Sequence, residues 1–208
     1  MKILALELSS AQGSIAWLDG ERDPFAVSFS NDRKHSGLFF ENLQRCRQQF
    51  GLPDLIVVGL GPGSYAGVRI AIAAAVGLRM ASAAKLIGLP SICAIDAGAR
   101  EYCAIGDARR QSFFFARVTR GRLLEGPTLH AIAELEAKIA DSPVPVYASE
   151  PLAQFPQAVV AFPSARRLGE LARDQVDEIS DSQPLEPIYL REPHITTSKA
   201  SRASTIIS

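Results

Sequence analysis

The chain of 208 residues carries 22 lysines and arginines against 22 aspartates and glutamates, a balance that leaves no global basic field to hold a nucleic acid by counterion release. Its length suits one large domain or two small lobes with a core that needs no covalent staples. Cys46, Cys93 and Cys103 are an odd set without a CxxC pair or matching histidine spacing; they argue against a disulfide framework and a structural zinc, and read as reduced thiols in a cytoplasm. The start, MKILALELSS, meets Glu7 before a signal-peptide core forms, and no later stretch is long and apolar enough to span a bilayer.

Lys2 to Leu8, Ser14 to Leu18 and Phe25 to Phe29 read as three strands joined by polar turns, with Asp19-Gly20 as a hairpin signal. Phe39, Leu43, Cys46 and Phe50 then recur at helical spacing, Leu38 and Phe40 widen that stripe, and Gly51 ends it. Leu55 to Val58 is a short apolar strand stopped by Gly59, Gly61, Gly63 and Gly67 around Pro62 and Ser64. From Val68 to Met80 the residues are nearly all Ala, Ile, Val or Leu, a helix apolar around most of its circumference that must be covered on both sides. Lys85 to Leu89 is another strand, and Ser91 to Ala99 a short helix. A second lobe begins near Gly98, with strands at Tyr102 to Ile105, Ser112 to Val118 and Arg122 to Leu124, a helix from Ala131 to Ala140, strands at Val144 to Ala148 and Ala158 to Ala161, and a helix from Ser164 to Val176. Pro184, Pro187 and Pro193 mark an extended segment, and the Ser/Thr-rich tail is expected to be disordered. The expected division is 1–97, 98–193 and a tail over 194–208.

Gly61, Gly63 and Ser64 are a candidate phosphate loop, because N–H groups at a helix N-terminus favour anions. A P-loop requires GK followed by Ser or Thr, whereas Val68 and Arg69 follow Gly67. Gly61, Gly63 and Ala66 match the looser dinucleotide pattern, but Gly88-Leu89-Pro90 stands where its acidic residue is needed. A tight strand-to-helix turn fits better. The small residues Ala73, Ala74 and Gly77 allow another helix to approach, and on the residues alone core helix and partner surface both remain open. His35, His130 and His194 form no paired motif, and Ser64 is not in a GxSxG elbow. Arg109 and Arg110, with Arg100, Arg117, Arg120 and Arg122, are candidates for a local basic patch, though solvated charge between strands is the plainer reading.

Taken together, ILALELSS, the His35-led helix, GLGPGSYAGVRIAIAAAVGL, GLPSICAID, GDARR and PIYLR resemble the TsaB (YeaZ) family of tRNA threonylcarbamoyladenosine biosynthesis, over most of Lys2 to Arg191. The resemblance implies an α/β fold of the actin-like, sugar-kinase and Hsp70 ATPase type, with two lobes each built on a mixed sheet flanked by helices. It implies a non-catalytic relative of TsaD that dimerises with TsaD, works with the ATPase TsaE and supports threonylcarbamoyl transfer to adenosine-37 of tRNA, meeting tRNA only through the complex. No intrinsic cofactor or metal is expected, ATP being left to the shared interface. The helices at Leu38 to Gln48 and Val68 to Met80 would meet TsaD, with Leu38, Phe39, Asn42, Arg69, Ile70, Ala73, Ala74 and Gly77 at the contact; the same face leaves a homodimer open in isolation. Family members often carry DT or DTS on the first strand, where this chain has Glu7-Leu8-Ser9, which weakens intrinsic ATP binding further. The alternatives are a metallopeptidase of the M22 glycoprotease type and a free-standing nucleotide-binding protein.

Overall fold

The computed structural model describes residues 1–20, 23–31, 37–175 and 185–191. His35, His194 and the tail expected to be disordered lie outside these residues. The first sheet contains β1 (Lys2–Glu7), β2 (Gln12–Asp19), β3 (Phe25–Ser30), β4 (Leu55–Gly59) and β5 (Lys85–Leu89), in the order β3-β2-β1-β4-β5. β1 to β3 form an antiparallel meander, and β4 and β5 add in parallel through α1 (Gly37–Phe50) and α2 (Tyr65–Met80). The second sheet repeats this plan: β6 (Glu101–Asp107), β7 (Ser112–Thr119) and β8 (Arg122–Ala131) are the meander, and β9 (Val146–Ala148) and β10 (Val159–Val160) the parallel additions, in the order β10-β9-β6-β7-β8. α3 (Ile132–Ala140) and α4 (Ala165–Gln175) complete the elements among the described residues. Two mixed sheets of matching topology, flanked by helices, make the two-lobed actin-like fold that the resemblance implies.

Alternation along the strands sorts the core into layers, because successive side chains leave opposite faces of a sheet. Leu4, Leu6, Ile15, Trp17, Ile56, Val58 and Leu86 face outward onto Phe39, Leu43 and Cys46 of α1 and Ala71 and Ala75 of α2. Ile3, Ala5, Ala16, Leu18, Val57 and Ile87 face the other way, into one core with Tyr102, Ala104, Phe114, Ala116 and Val118 of the second sheet. α4 lies in that shared layer through Leu168, Leu171 and Ala172. On its far face the second sheet packs Cys103, Ile105, Phe113 and Phe115 against Leu135 and Ile139 of α3.

Three local expectations differ from the structure. β8 extends to Ala131 rather than stopping at Leu124, because the pairing slips between Phe115 and Arg117 and the bulge accommodates Gly126 and Pro127 on an edge strand. The expected helix at Ser91 to Ala99 is only a 3-10 turn at Ser91–Ala94: Ile95 is extended and bridges Pro163, so the chain is drawn toward the start of α4. Finally, α4 belongs to the chain after Gly98 yet packs on β1, β2 and β4, with the Ala165 N–H donating to Ser14 Oγ at 2.8 Å. A Cβ on Gly169 would collide with the Leu18 side chain, so this glycine allows α4 to approach β2 closely. The segment from 98 to 193 is therefore not confined to the second sheet.

Candidate functional site

The candidate helices flank β4 in sequence, α1 before it and α2 after it, and pack on the same face of the sheet, where the described residues cover only their inner stripes. On α2 the buried residues are Gly67, Val68, Ala71 and Ala75. Arg69, Ala73 and Gly77 are exposed, Ile70 and Ala74 half-buried, and a Cβ on Gly77 would meet nothing within 4 Å. Among the described residues the expectation of cover on both sides is thus met on one side only, and an apolar outer face stands open, ending at Met80, which is 85% exposed. On α1, Leu38 is exposed and Asn42 half-buried, its Nδ2 donating to the Leu38 carbonyl at 2.7 Å. Phe39 is 2% exposed and belongs to the core, so it is removed from the contact set. Its neighbour Phe40, read from the sequence as widening the inner stripe, is 50% exposed: one residue turns a helix by 100°, and the two rings part across the boundary.

The open face also includes residues that sequence reasoning missed. Val76 and Met80 continue the outer row from Arg69 and Ala73 at spacings of three and four, a signal available in the sequence once the inner stripe is known. Tyr65, 54% exposed, leans on Tyr189 with ring centroids 5.5 Å apart. The Arg69 guanidinium lies 5.2 Å from the Tyr65 ring centre and its Nη1 donates to Tyr65 Oη at 3.0 Å. Tyr189 belongs to residues 185–191, which cross the glycine loop: the Ile188 N–H donates to the Leu60 carbonyl at 2.8 Å, Leu185 packs on the outer core and Leu190 on the core between the sheets. This tie spans more than 120 residues of sequence, and no local pattern announces it.

The glycine loop is held from three directions. The Ser64 N–H donates to the Ser9 carbonyl at 2.6 Å, the Gly61 N–H to Ser91 Oγ at 2.9 Å, and the Ser91 N–H back to the Gly61 carbonyl at 2.8 Å. Ser64 caps α2, its Oγ accepting the Gly67 N–H at 3.2 Å. A Cβ on Gly63 would run into the Ser9 carbonyl, and one on Gly67 into the Leu8 carbonyl. These two glycines let the loop and the first turn of α2 press against the end of β1, a steric demand distinct from cradling a phosphate. Glu7, at the end of β1, is fully buried, and desolvation pushes its carboxyl above the ordinary range against smaller opposing effects from Ser9, Ser91 and the Leu8 backbone. Cradling a nucleotide phosphate needs N–H groups turned to the ligand, and a metal at this strand needs an ionised carboxylate facing it. The N–H groups of Gly61, Ser64 and Gly67 are taken by Ser91 Oγ, the Ser9 carbonyl and Ser64 Oγ, and the Glu7 carboxyl is closed into the core, so these groups do not fit a metal–nucleotide complex.

Above the loop a cleft of about 730 Å³ separates the sheets. Ser9, Ser10, Gly63 and Ser64 line one wall, Asp107, Arg109 and Arg110 the other. Arg109, Arg110 and Gln111 have φ of 66°, 54° and 57°, a left-handed turn in which the Arg109 N–H donates to Asp107 Oδ1 at 2.6 Å. The arginines that the sequence groups together are divided by the fold. Arg109 and Arg110 lie at the turn between β6 and β7, whereas Arg100 and Arg120 meet at the opposite end of that hairpin, the Arg120 N–H donating to the Arg100 carbonyl at 2.6 Å, with Arg117 paired to Glu101 at 2.6 Å. His130 Nε2 is 2.9 Å from Thr128 Oγ1 on β8. Among the described residues no three His, Cys, Asp or Glu side chains gather as a metal-ligand set.

With this geometry in place, the chain can be set beside known proteins. A family model described as TsaD, tRNA N6-adenosine threonylcarbamoyltransferase, matches residues 31–165. An uncharacterized protein of Mycobacterium tuberculosis is 30% identical over 148 residues, 67% of this chain and 65% of that protein. One from Mycobacterium leprae is 29% identical over 147 residues, covering 67% of this chain and 38% of its own length. The chain thus spans less than two thirds of the length of these relatives. A crystal structure of an uncharacterized protein with similarity to peptidase YEAZ from Pseudomonas aeruginosa superposes with a TM-score of 0.73 at 23% identity, covering 91% of this chain and 99% of that one. YeaZ from the same organism gives 0.70 at 21% identity, with the same coverage. By the match over residues 31–165 the chain belongs to the TsaD family, and it shares the fold of YeaZ.

Proposed function

We propose that this chain is a non-catalytic accessory subunit which binds a TsaD-type partner through the outer faces of α1 and α2 and supports threonylcarbamoyl transfer to adenosine-37 of tRNA, with a TsaE-type ATPase as a third component. One observation carries the reading: α2 presents an apolar outer face of Ala73, Val76, Gly77 and Met80, with open space above Gly77. Small residues flanked by larger apolar ones suit a second helix, and the rings of Tyr65 and Tyr189 with Arg69 supply an anchor at its start. The same face would pair two copies of this chain when the partner is absent. tRNA would be met only through the complex, since charge is balanced and the arginines fall into two groups. Any ATP would sit at a shared interface rather than on this chain alone, a reading supported by the engaged N–H groups of Gly61, Ser64 and Gly67 and by the burial of Glu7. The working compartment would be the cytoplasm.

The test is co-purification with TsaD from the same organism, followed by tRNA threonylcarbamoylation with and without this chain. Complex formation and dependence of activity on this chain are expected. Gly77→Glu, which points a carboxylate into space that is open in the free chain, should leave melting no lower than wild type and weaken the complex at least roughly a hundredfold, as expected for an unpaired charge at a helix contact. A complex that survives this change undiminished would remove the helix face from consideration. The peptidase alternative requires bound metal and chelator-sensitive cleavage by the purified chain. The nucleotide alternative requires saturable ATP binding that fails when Gly63 is replaced by a bulky residue.

A further inference from the structure

Glu7 is the only acidic side chain among the buried residues described, and it sits where three segments meet. Its Oε1 accepts the Ser9 N–H at 2.6 Å. Its Oε2 is buried without a hydrogen-bond partner. A Cβ on Gly59, at the end of β4, would overlap Oε2 and lie 2.5 Å from Ser91 Oγ, so glycine there leaves the space that the carboxyl and this hydroxyl share. Ser91 Oγ already accepts the Gly61 N–H at 2.9 Å, and the Ser9 carbonyl accepts the Ser64 N–H at 2.6 Å. The carboxyl is therefore bonded to Ser9 and faces Ser91 across the space left by Gly59, between the two serines that hold the two ends of the glycine loop. An ionised carboxylate with one bare oxygen is costly in such a place, whereas a carboxylic acid has a proton to offer.

We propose that Glu7 is a positioning residue: held as the neutral acid, it donates its Oε2 proton to Ser91 Oγ, accepts the Ser9 N–H, and so fixes the glycine loop and the first turn of α2. The groups that act on its ionisation are Ser9 and Ser91 and the backbone at Leu8 and Ser9, none of them charged. Its importance for partner binding rests on α2 being the partner face; its effect on the loop does not. A neutral acid also makes the fold pH-sensitive in a defined direction. The folded chain keeps a proton that the unfolded chain releases above the ordinary value of 4.5, so stability falls as pH rises from there through the folded value.

The experiment compares Glu7→Gln, Glu7→Asp and Glu7→Ala in the full chain, reading amide hydrogen exchange at Gly61 and Ser64, the melting temperature between pH 4.5 and pH 8, and affinity for the TsaD-type partner. Gln keeps the length, the acceptor and a donor without a charge. It should retain exchange protection within about twofold, match the wild type near pH 4.5 and equal or exceed it at pH 8. Asp is too short to reach both serines, and Ala removes the group; each should lose protection roughly tenfold, the scale of one buried hydrogen bond. Gln behaving like Ala at pH 8, or Ala retaining full protection, would overturn the proposal. If the wild-type chain does not bind the partner, the proposed function fails, while the exchange and melting data still decide the role of Glu7.

Discussion

Two glycines on one helix give opposite expectations, and the contrast tests whether the first turn of α2 is wedged against β1. Replacing an exposed helical glycine with alanine stabilises by up to about 1 kcal/mol, since alanine has less backbone entropy to lose. Gly77→Ala should behave in this way, because nothing lies within 4 Å of the added methyl. Gly67 also lies in α2 but is buried in its first turn, and its Cβ would penetrate the Leu8 carbonyl, with the Leu8 carbonyl carbon only 3.1 Å away. That obstacle is buried backbone directly after β1, so it cannot swing aside as a flexible side chain would. Overpacking of this kind costs about 3 kcal/mol, at the upper end of the usual range, which outweighs the propensity gain and leaves Gly67→Ala about 2 kcal/mol less stable than wild type. For a chain of this length the shifts correspond to roughly 6 °C lost for Gly67→Ala and roughly 3 °C gained for Gly77→Ala. Thermal and urea unfolding of the three proteins, side by side, measures both. Gly67→Ala melting at or above wild type would show that β1 and α2 are not in close contact, and the steric account of the glycine loop would fall.

Ser64→Ala should cost about 1 kcal/mol of unfolding free energy by removing the cap that accepts the Gly67 N–H, measured by urea titration. Leu168→Ala, in the layer shared by the two sheets, should cost about 3 kcal/mol and lower a single melting transition, because α4 packs against both sheets. Burial pushes the Cys46 and Cys93 thiols up to about 11 and about 12, so neither should react with a thiol reagent at pH 8 in the folded chain, and both should react in denaturant. Arg117→Ala should change stability by less than about 1 kcal/mol, its ion pair with Glu101 being partly exposed, as a denaturation midpoint would register.

The elements with the clearest punctuation were the most legible. Leu55 to Val58, between a polar break and a cluster of glycines, and Lys85 to Leu89, stopped by Pro90, emerge as the parallel strands β4 and β5. Helical spacing identified the inner residues Leu43 and Cys46 of α1, but at Phe39 and Phe40 two identical side chains side by side left nothing to say which belonged inside. α2 posed the same difficulty over its whole length, since an apolar circumference defines no face and the open side depends on where β1 and β4 lie. The glycines were legible as a turn; that they serve Leu8 and Ser9, just past the end of β1, required the fold, because those contacts cross more than 50 residues. α4 illustrates the same limit. Its amphipathic pattern is plain, but two apolar sheets compete for it, and its return to Leu18 and Ser14 is decided by packing rather than by any local signal.

The two ends of α2 are held very differently, and this separates two ways of disturbing a partner. The first turn is pinned by the Ser64 cap, the Ser9 carbonyl and the close approach of Gly67 to Leu8, while Met80 projects freely at the other end. A pinned helix presents its outer face with little ordering left to be done on association, which raises affinity without adding a contact. Loosening the pinned end should therefore lower the stability of the free chain and the affinity together, even though Gly67 is turned away from the open face. Met80→Ala should instead leave the melting temperature within about 1 °C, since an exposed side chain contributes little to the fold, and weaken a complex only through the surface it ceases to cover. Measured on the same partner, Gly67→Ala and Met80→Ala should fall on different lines in a plot of affinity against stability. If both lowered affinity with no change in stability, the face would be maintained by the partner rather than by the glycine loop, and α2 would not be preorganised for binding.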